Sequence, residues 1–163
     1  METRAERSHR FDRWMYRGGR PHRLAKVLNR IGAMQAASGI AVPKRMVTLE
    51  VLGRRTGRTI SVPLVVADYG GERYLVSMLG PNANWVANVR SAQGRVVLRH
   101  GGREAVRLEE VEAGARAPIL RRYLALAPGA RAHVSVDRHA PLLEFDKVAA
   151  RYPVFRISGE GTN

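Results

Sequence analysis

Two stretches of the chain carry residue types whose spacing could do chemistry. The first is Gly53-Arg54-Arg55-Thr56-Gly57-Arg58, three guanidinium groups and a hydroxyl between two glycines. Glycines let backbone N–H groups approach an anion, and successive exposed N–H groups form an anion nest. Arginine adds bidentate recognition of phosphate or carboxylate. A plain basic β-turn has the same composition, so both readings stay open from the residues alone. The second stretch runs from Ser77 to Asn88. It leaves a strand at Ser77-Met78, breaks at Gly80-Pro81-Asn82 and enters a segment bearing Trp85 and Asn88. Tryptophan is ordinarily core, but a polar amide on the same helical face needs a hydrogen-bonding partner.

Other chemistries find no support. The five histidines, His9, His22, His100, His133 and His139, form no H-x-x-x-H pair, and with no cysteine present no metal site is expected. There is no G-x-S-x-G nucleophile elbow, no P-loop and no G-x-G-x-x-G dinucleotide turn. Glu109, Glu110 and Glu112 resemble a solvated hairpin edge more than a pair of catalytic acids.

The elements that must position these residues follow from pattern. Residues 1–20 are basic and are expected to be flexible. Leu24, Val27, Leu28 and Ile31 keep helical spacing, which predicts a basic amphipathic helix over 22–37 that packs on its own domain or lies on a membrane surface. Strands are predicted at 46–52, 59–67 and 73–78, with Pro63 marking an edge, a bulge or a functional irregularity. A short helix over 85–90 follows, then a hairpin of 96–99 and 103–111, helices at 118–126 and 142–152, and a last strand at 154–157. Six strands in consecutive hairpins with flanking helices give an α+β fold, an antiparallel meander able to curl into a barrel.

With 163 residues and 45% hydrophobic content, residues 21–163 are expected to form a single domain. No apolar run is long enough to span a bilayer and no signal peptide is recognisable, which predicts a cytoplasmic protein with membrane-peripheral contact through the basic helix as the variant. The net charge is +14, and residues 1–58 hold 14 of the 28 basic but only 4 of the 14 acidic side chains. That asymmetry fits a polyanionic ligand or surface and fits a merely solubilising surface equally well, and composition alone leaves both open. Aromatic content of 6% without a strand bearing two rings argues against nucleic acid.

Leu52 to Gly57, then Pro63-Leu64, then Ser77, then Asn84-Trp85-Val86-Ala87-Asn88-Val89-Arg90 resembles the deazaflavin (coenzyme F420)-dependent nitroreductase family over residues 46–111. The resemblance implies an antiparallel split β-barrel of the FMN-binding split-barrel type, binding reduced F420. This cofactor carries a phosphate, a carboxylate and an oligoglutamate tail. By resemblance, Arg54, Arg55, Thr56, Gly57 and Arg58 hold the phosphate and tail. Pro63 and Leu64 lie along the deazaflavin ring, Ser77 and Met78 close on it, and Trp85 and Asn88 brace the far wall. Val65 faces the substrate. Departures from the family pattern fall at Ile60, Val65 and Met78.

The implied reaction is hydride transfer from reduced F420 to an electron-poor acceptor such as a quinone, nitro compound or activated enone. Ser77 is the candidate hydrogen-bonding catalytic residue. Tyr123, His133, His139 or water is the proton source. Two alternatives remain, an FMN-binding split-barrel oxidoreductase and a non-catalytic basic barrel that binds nucleic acid or acidic membrane. Split barrels often pair, but the sequence itself does not set the oligomeric state and leaves a homodimer as one option.

Overall fold

The computed structural model describes residues 44–160. The basic stretch 1–20, the helix expected over 22–37, its membrane contact and the domain boundary at residue 20 lie outside the described residues.

Six strands close into an antiparallel barrel. They are β1 (Met46–Leu52), β2 (Thr59–Tyr69), β3 (Glu72–Val76), β4 (Arg95–Arg99), β5 (Arg103–Glu110) and β6 (Val154–Gly159). The order around the barrel is β1-β2-β3-β6-β5-β4. The simple meander expected from sequence therefore breaks at one place, between β3 and β4, which are not neighbours. Short turns after β1, β2 and β4 force their strands to be neighbours, because a tight hairpin leaves no other geometry. The links 77–94 and 111–153 carry helices and impose no adjacency. β6 accordingly inserts between β3 and β5, and β4 closes on β1.

Side-chain alternation separates two cores. Val47, Leu49 and Val51 of β1 stand opposite Leu64, Val62 and Ile60 of β2, and these point into the barrel. Leu75, Leu98, Val106, Leu108, Phe155 and Ile157 join them, all buried. Helix α1 (Asn84–Ser91) buries Trp85, Val86 and Val89 at one end, and the Trp85 ring lies 5.5 Å from that of Phe155. The opposite end carries the ion pair of Arg73 with Glu104.

The outer face of β2 and β3 presents Val65, Ala67 and Val76 to a second core. Helix α2 (Ala117–Leu126) and helix α3 (Leu142–Val148) cover it with Ile119, Leu120, Tyr123, Leu124 and Phe145. Burying a side chain such as Phe145 contributes about 1.5–3 kcal/mol. The helix expected over 142–152 tightens into a 3-10 turn at Ala149–Arg151. The buried Arg116 guanidinium ties this layer together by donating to the carbonyl of Val111 (2.7 Å) and, at 3.4 Å, to those of Ala150 and Tyr152.

Among the described residues, Pro63 sits where β2 has one neighbour. It faces Thr48 of β1, while pairing with β3 begins only at Val66. The Val66 N–H points to β1, where it meets the Arg45 carbonyl at 2.8 Å. Alternation then turns the nitrogen of Pro63 toward the unpaired side, where no ladder donor is lost.

Candidate anion-binding site at one end of the barrel

Strand direction gathers the sequence motifs. The turn after β1, the chain leaving β3 at Ser77, and α1 all stand at the end of the barrel that Trp85 plugs.

The turn is closed by its own backbone. The Gly53 N–H donates to the Arg58 carbonyl and the Gly57 N–H to the Gly53 carbonyl, each at 2.8 Å. The Thr56 hydroxyl accepts the Arg58 N–H at 3.3 Å. Gly57 adopts φ +64°, a left-handed value that favours glycine. A Cβ at Gly53 would lie 2.9 Å from the Ile60 side chain, so Ile60 packs over the turn.

Asn88 fixes this turn to α1. Its Oδ1 accepts the Arg54 backbone N–H at 3.1 Å and the Arg54 guanidinium at 2.9 Å, and Asn84 adds a longer contact at 3.5 Å. Asn88 is 2% exposed, so Arg54 is the partner its buried amide requires. Arginine only donates, which obliges Oδ1 to face it and turns the amide N–H groups away. Arg54, expected among the anion ligands, thus commits its backbone N–H and two of its five guanidinium N–H donors to the scaffold and keeps the others. Arg55 and Arg58 are exposed and, among the described residues, have no carboxylate partner.

The remaining candidates fall into different places. Pro63 and Leu64 point to opposite faces of β2 by strand alternation, so only Pro63 presents its side chain on the outer face. Val65 shares that face but is buried in the α2 layer, and Met78 packs against the same layer. Trp85 belongs to the barrel interior. Ser77 is 1% exposed; its hydroxyl donates to the Gly80 carbonyl at 2.7 Å and its N–H to the Pro153 carbonyl at 2.9 Å. The hydroxyl proton therefore holds the loop. Tyr123 lies in the outer core, where burial pushes its hydroxyl well above the ordinary tyrosine value. The His139 ring accepts from Arg138 (2.9 Å) on an exposed loop, and His133 offers its carbonyl to Tyr152 (3.2 Å).

Three features had no role assigned from the sequence. Ser61, on the outer face of the unpaired half of β2, has a buried hydroxyl without a partner. Glu50, 9% exposed, is bound by Arg99 at 3.0 Å and Arg103 at 2.9 Å. Arg90, the last residue of the helix motif, forms a two-pronged pair with Glu110 at 3.0 and 2.6 Å. Its guanidinium holds the Glu110 carboxyl below the usual range. No metal-binding cluster occurs among the described residues, and none of their helices is long and apolar enough to cross a membrane.

A six-stranded antiparallel barrel flanked by helices, with a basic turn beside a strand that is half unpaired, has the architecture of the split β-barrel oxidoreductases. Residues 25–143 match the model of the F420H2-dependent quinone reductase family, and the chain belongs to that family, a class of F420-dependent oxidoreductases. No curated protein matches it in sequence.

Solved structures similar to it share the fold at low identity. A protein of unknown function from Agrobacterium tumefaciens is 14% identical with a TM-score of 0.53, covering 72% of this chain. The match takes in 49% of that protein, so the present chain spans about half its length. A conserved hypothetical protein from Mycobacterium tuberculosis is 18% identical over 72% of this chain and 74% of that one, with a TM-score of 0.53. An F420-H2 dependent reductase, FDR-A, is 17% identical over 71% of this chain and 95% of that one, with a TM-score of 0.49.

Proposed function

We propose that this protein transfers a hydride from reduced F420 to an electron-poor small molecule, with quinones, nitro compounds and activated enones as the acceptor classes. The observation that carries this reading is a pair of exposed arginines, Arg55 and Arg58, without counter-ions among the described residues, on a turn fixed by the Asn88–Arg54 bonds. The donor set suits a phosphate with a carboxylate tail, because guanidinium groups and turn N–H groups recognise both. The Ser61 hydroxyl, buried and without a partner among the described residues, lies on the same outer face of β2 as Pro63.

Each residue then has a task. Arg55 and Arg58 bind the anionic end, with Thr56 and Gly57 setting the turn. Arg54 and Asn88 hold that turn in register. Pro63 lies along the ring, while Leu64 backs the strand from inside the barrel. Ser77 fixes the loop that carries Met78 past the α2 layer. When bound, the reduced deazaflavin supplies the hydride at its C5, and a proton from solvent completes the two-electron reduction of the acceptor. Positioning and electrostatics are the protein's share of the catalysis.

The test is oxidation of F420H2 by a soluble benzoquinone, a nitroaromatic and an activated enone, followed by the recovery of F420 fluorescence. Turnover with at least one acceptor is the expected result. Rates equal to the protein-free reaction for every acceptor would overturn the proposal.

A further inference from the structure

The β4–β5 hairpin places arginine directly across from arginine twice, Arg99 opposite Arg103 and Arg95 opposite Arg107. Like charges in such positions on one face of a sheet destabilise it. The first pair is neutralised, since both its members bind the buried Glu50 carboxylate. The second pair has no such bridge. Arg95 donates to the neutral amide of Gln93 at 2.7 Å, and Arg107 has no ion pair among the described residues. Glu109, two residues along the same face, is engaged first by Arg156 and Ser158 and attracts Arg107 only as a weaker, unbonded neighbour.

Position gives this pair, which has no ion-pair contact among the described residues, a meaning. Glu50 stands opposite Val97, so the same register carried forward sets Arg95 beside Leu52, the last residue before the basic turn. Arg107, Arg95 and Leu52 share the outer face and form a row across three strands. At about 4.8 Å per strand, the row runs roughly 10–15 Å into the turn, the length of three or four extended residues. It ends at Arg55 and Arg58.

We infer that Arg95 and Arg107 form a second anion subsite, a track that takes a linear polycarboxylate running on from the anion held by Arg55 and Arg58. The inference rests on the deazaflavin reading above and assigns the far part of the cofactor's glutamyl tail to the β4–β5 face. A nucleic-acid strand fits the row less well. Stacking platforms need exposed rings, and the one large exposed aromatic among the described residues, Tyr69, is at the opposite end of β2.

The experiment measures binding of two forms of F420, one without glutamates and one with about four, at low ionic strength, where exposed ion pairs are least screened. The full-length wild type is compared with Arg95→Gln/Arg107→Gln and with Arg121→Gln/Arg138→Gln, which removes the same charge from α2 and the loop beyond it. Wild type is expected to bind the long-tailed form about fivefold tighter, the combined effect of two exposed ion pairs. Arg95→Gln/Arg107→Gln binds both forms alike, at the wild-type affinity for the short one, and the Arg121→Gln/Arg138→Gln variant keeps the preference. The Arg95/Arg107 variant unfolds at an unchanged or higher denaturant midpoint, because a repulsion is removed.

Retention of the full preference by the Arg95/Arg107 variant, or no preference in wild type, would overturn the track while leaving the turn as the cofactor site. Absence of saturable binding of either form by wild type would sink the deazaflavin reading, and the track with it. Tighter wild-type binding of a single-stranded oligonucleotide than of tetraglutamate at equal charge also counts against it.

Discussion

Asn88 grips Arg54 twice through one oxygen, from the backbone N–H at 3.1 Å and from the guanidinium at 2.9 Å. This contact joins the helix that plugs the barrel to the turn that bears the free arginines. Asn88→Leu leaves the Arg54 donors without their buried acceptor, at a cost of about 1–3 kcal/mol. It also frees the turn, so F420 affinity falls along with stability. Asn88→Asp keeps the acceptor and is expected to retain both. Denaturant unfolding and cofactor titration of the two variants check this; equal cofactor affinity in Asn88→Leu and wild type would contradict it.

Gly94 bears on how α1 returns to the sheet. Its N–H donates to Val89 at 2.9 Å, its carbonyl accepts the Leu108 N–H at 2.8 Å, and its φ is +78°. A Cβ here would stand 2.2 Å from the Leu108 carbonyl oxygen, a backbone atom that cannot swing aside. Gly94→Ala is expected to destabilise by about 2–4 kcal/mol, combining a left-handed penalty with a clash. An unchanged unfolding midpoint would refute the tight approach of β5.

Tyr123 is expected to have no part in proton transfer. Its hydroxyl lies in the α2 layer, has no hydrogen bond among the described residues, and is pushed by burial toward the protonated form. Tyr123→Phe keeps the packing and is expected to hold kcat/KM within about twofold, well short of the loss caused by removing a working general acid. A loss of more than about tenfold with unchanged stability would restore it as the donor.

Much of this arrangement was legible in the sequence, and the limits have physical causes. Gly53 and Gly57 mark the turn because their spacing suits a tight link, and the barrel bears out the split-barrel expectation. Pro63, through its missing N–H, announced an edge, a bulge or a functional irregularity, and among the described residues β2 pairs there with β1 alone. Asn88 announced a buried partner, but not which one, because Arg54 approaches from 34 residues away. The place of β6 beside β3 was hidden, since pairing across a helical link leaves no local mark. Pro63 and Leu64 look like one unit in a motif, yet the period of two sends them to opposite faces. The Glu50–Arg99–Arg103 cluster depends on register alone.

Acid should unfold the protein through its ion pairs. Asp68, Glu104, Glu109 and Glu110 are each held below their ordinary values, first by hydrogen bonds from Arg45, Arg73, Arg156 and Arg90 respectively. A carboxyl depressed in the folded state makes the unfolded chain bind more protons as the pH falls. The stabilisation is therefore present above the unfolded values, 3.8 for Asp and 4.5 for Glu, and is lost as pH drops through the lower folded values. Denaturant midpoints are expected to be level from neutrality to about pH 5 and to decline below that. Glu110→Gln is expected to shallow the decline, and an identical acid profile in that variant would contradict the assignment.

The central claim is that the turn after β1 is the cofactor's anion site, with Arg55 and Arg58 as the free cations and Arg54 as scaffold. Fluorescence titration of wild type and of Arg55→Ala/Arg58→Ala with F420, alongside their unfolding midpoints, tests it most directly. Both arginines are exposed and, among the described residues, without ion pairs, so stability is expected to stay within about 0.5 kcal/mol. Affinity is expected to fall by at least about tenfold, since each charge-assisted contact contributes about 1.5–3 kcal/mol. Saturable binding by wild type with equal affinity in the double variant would contradict the account.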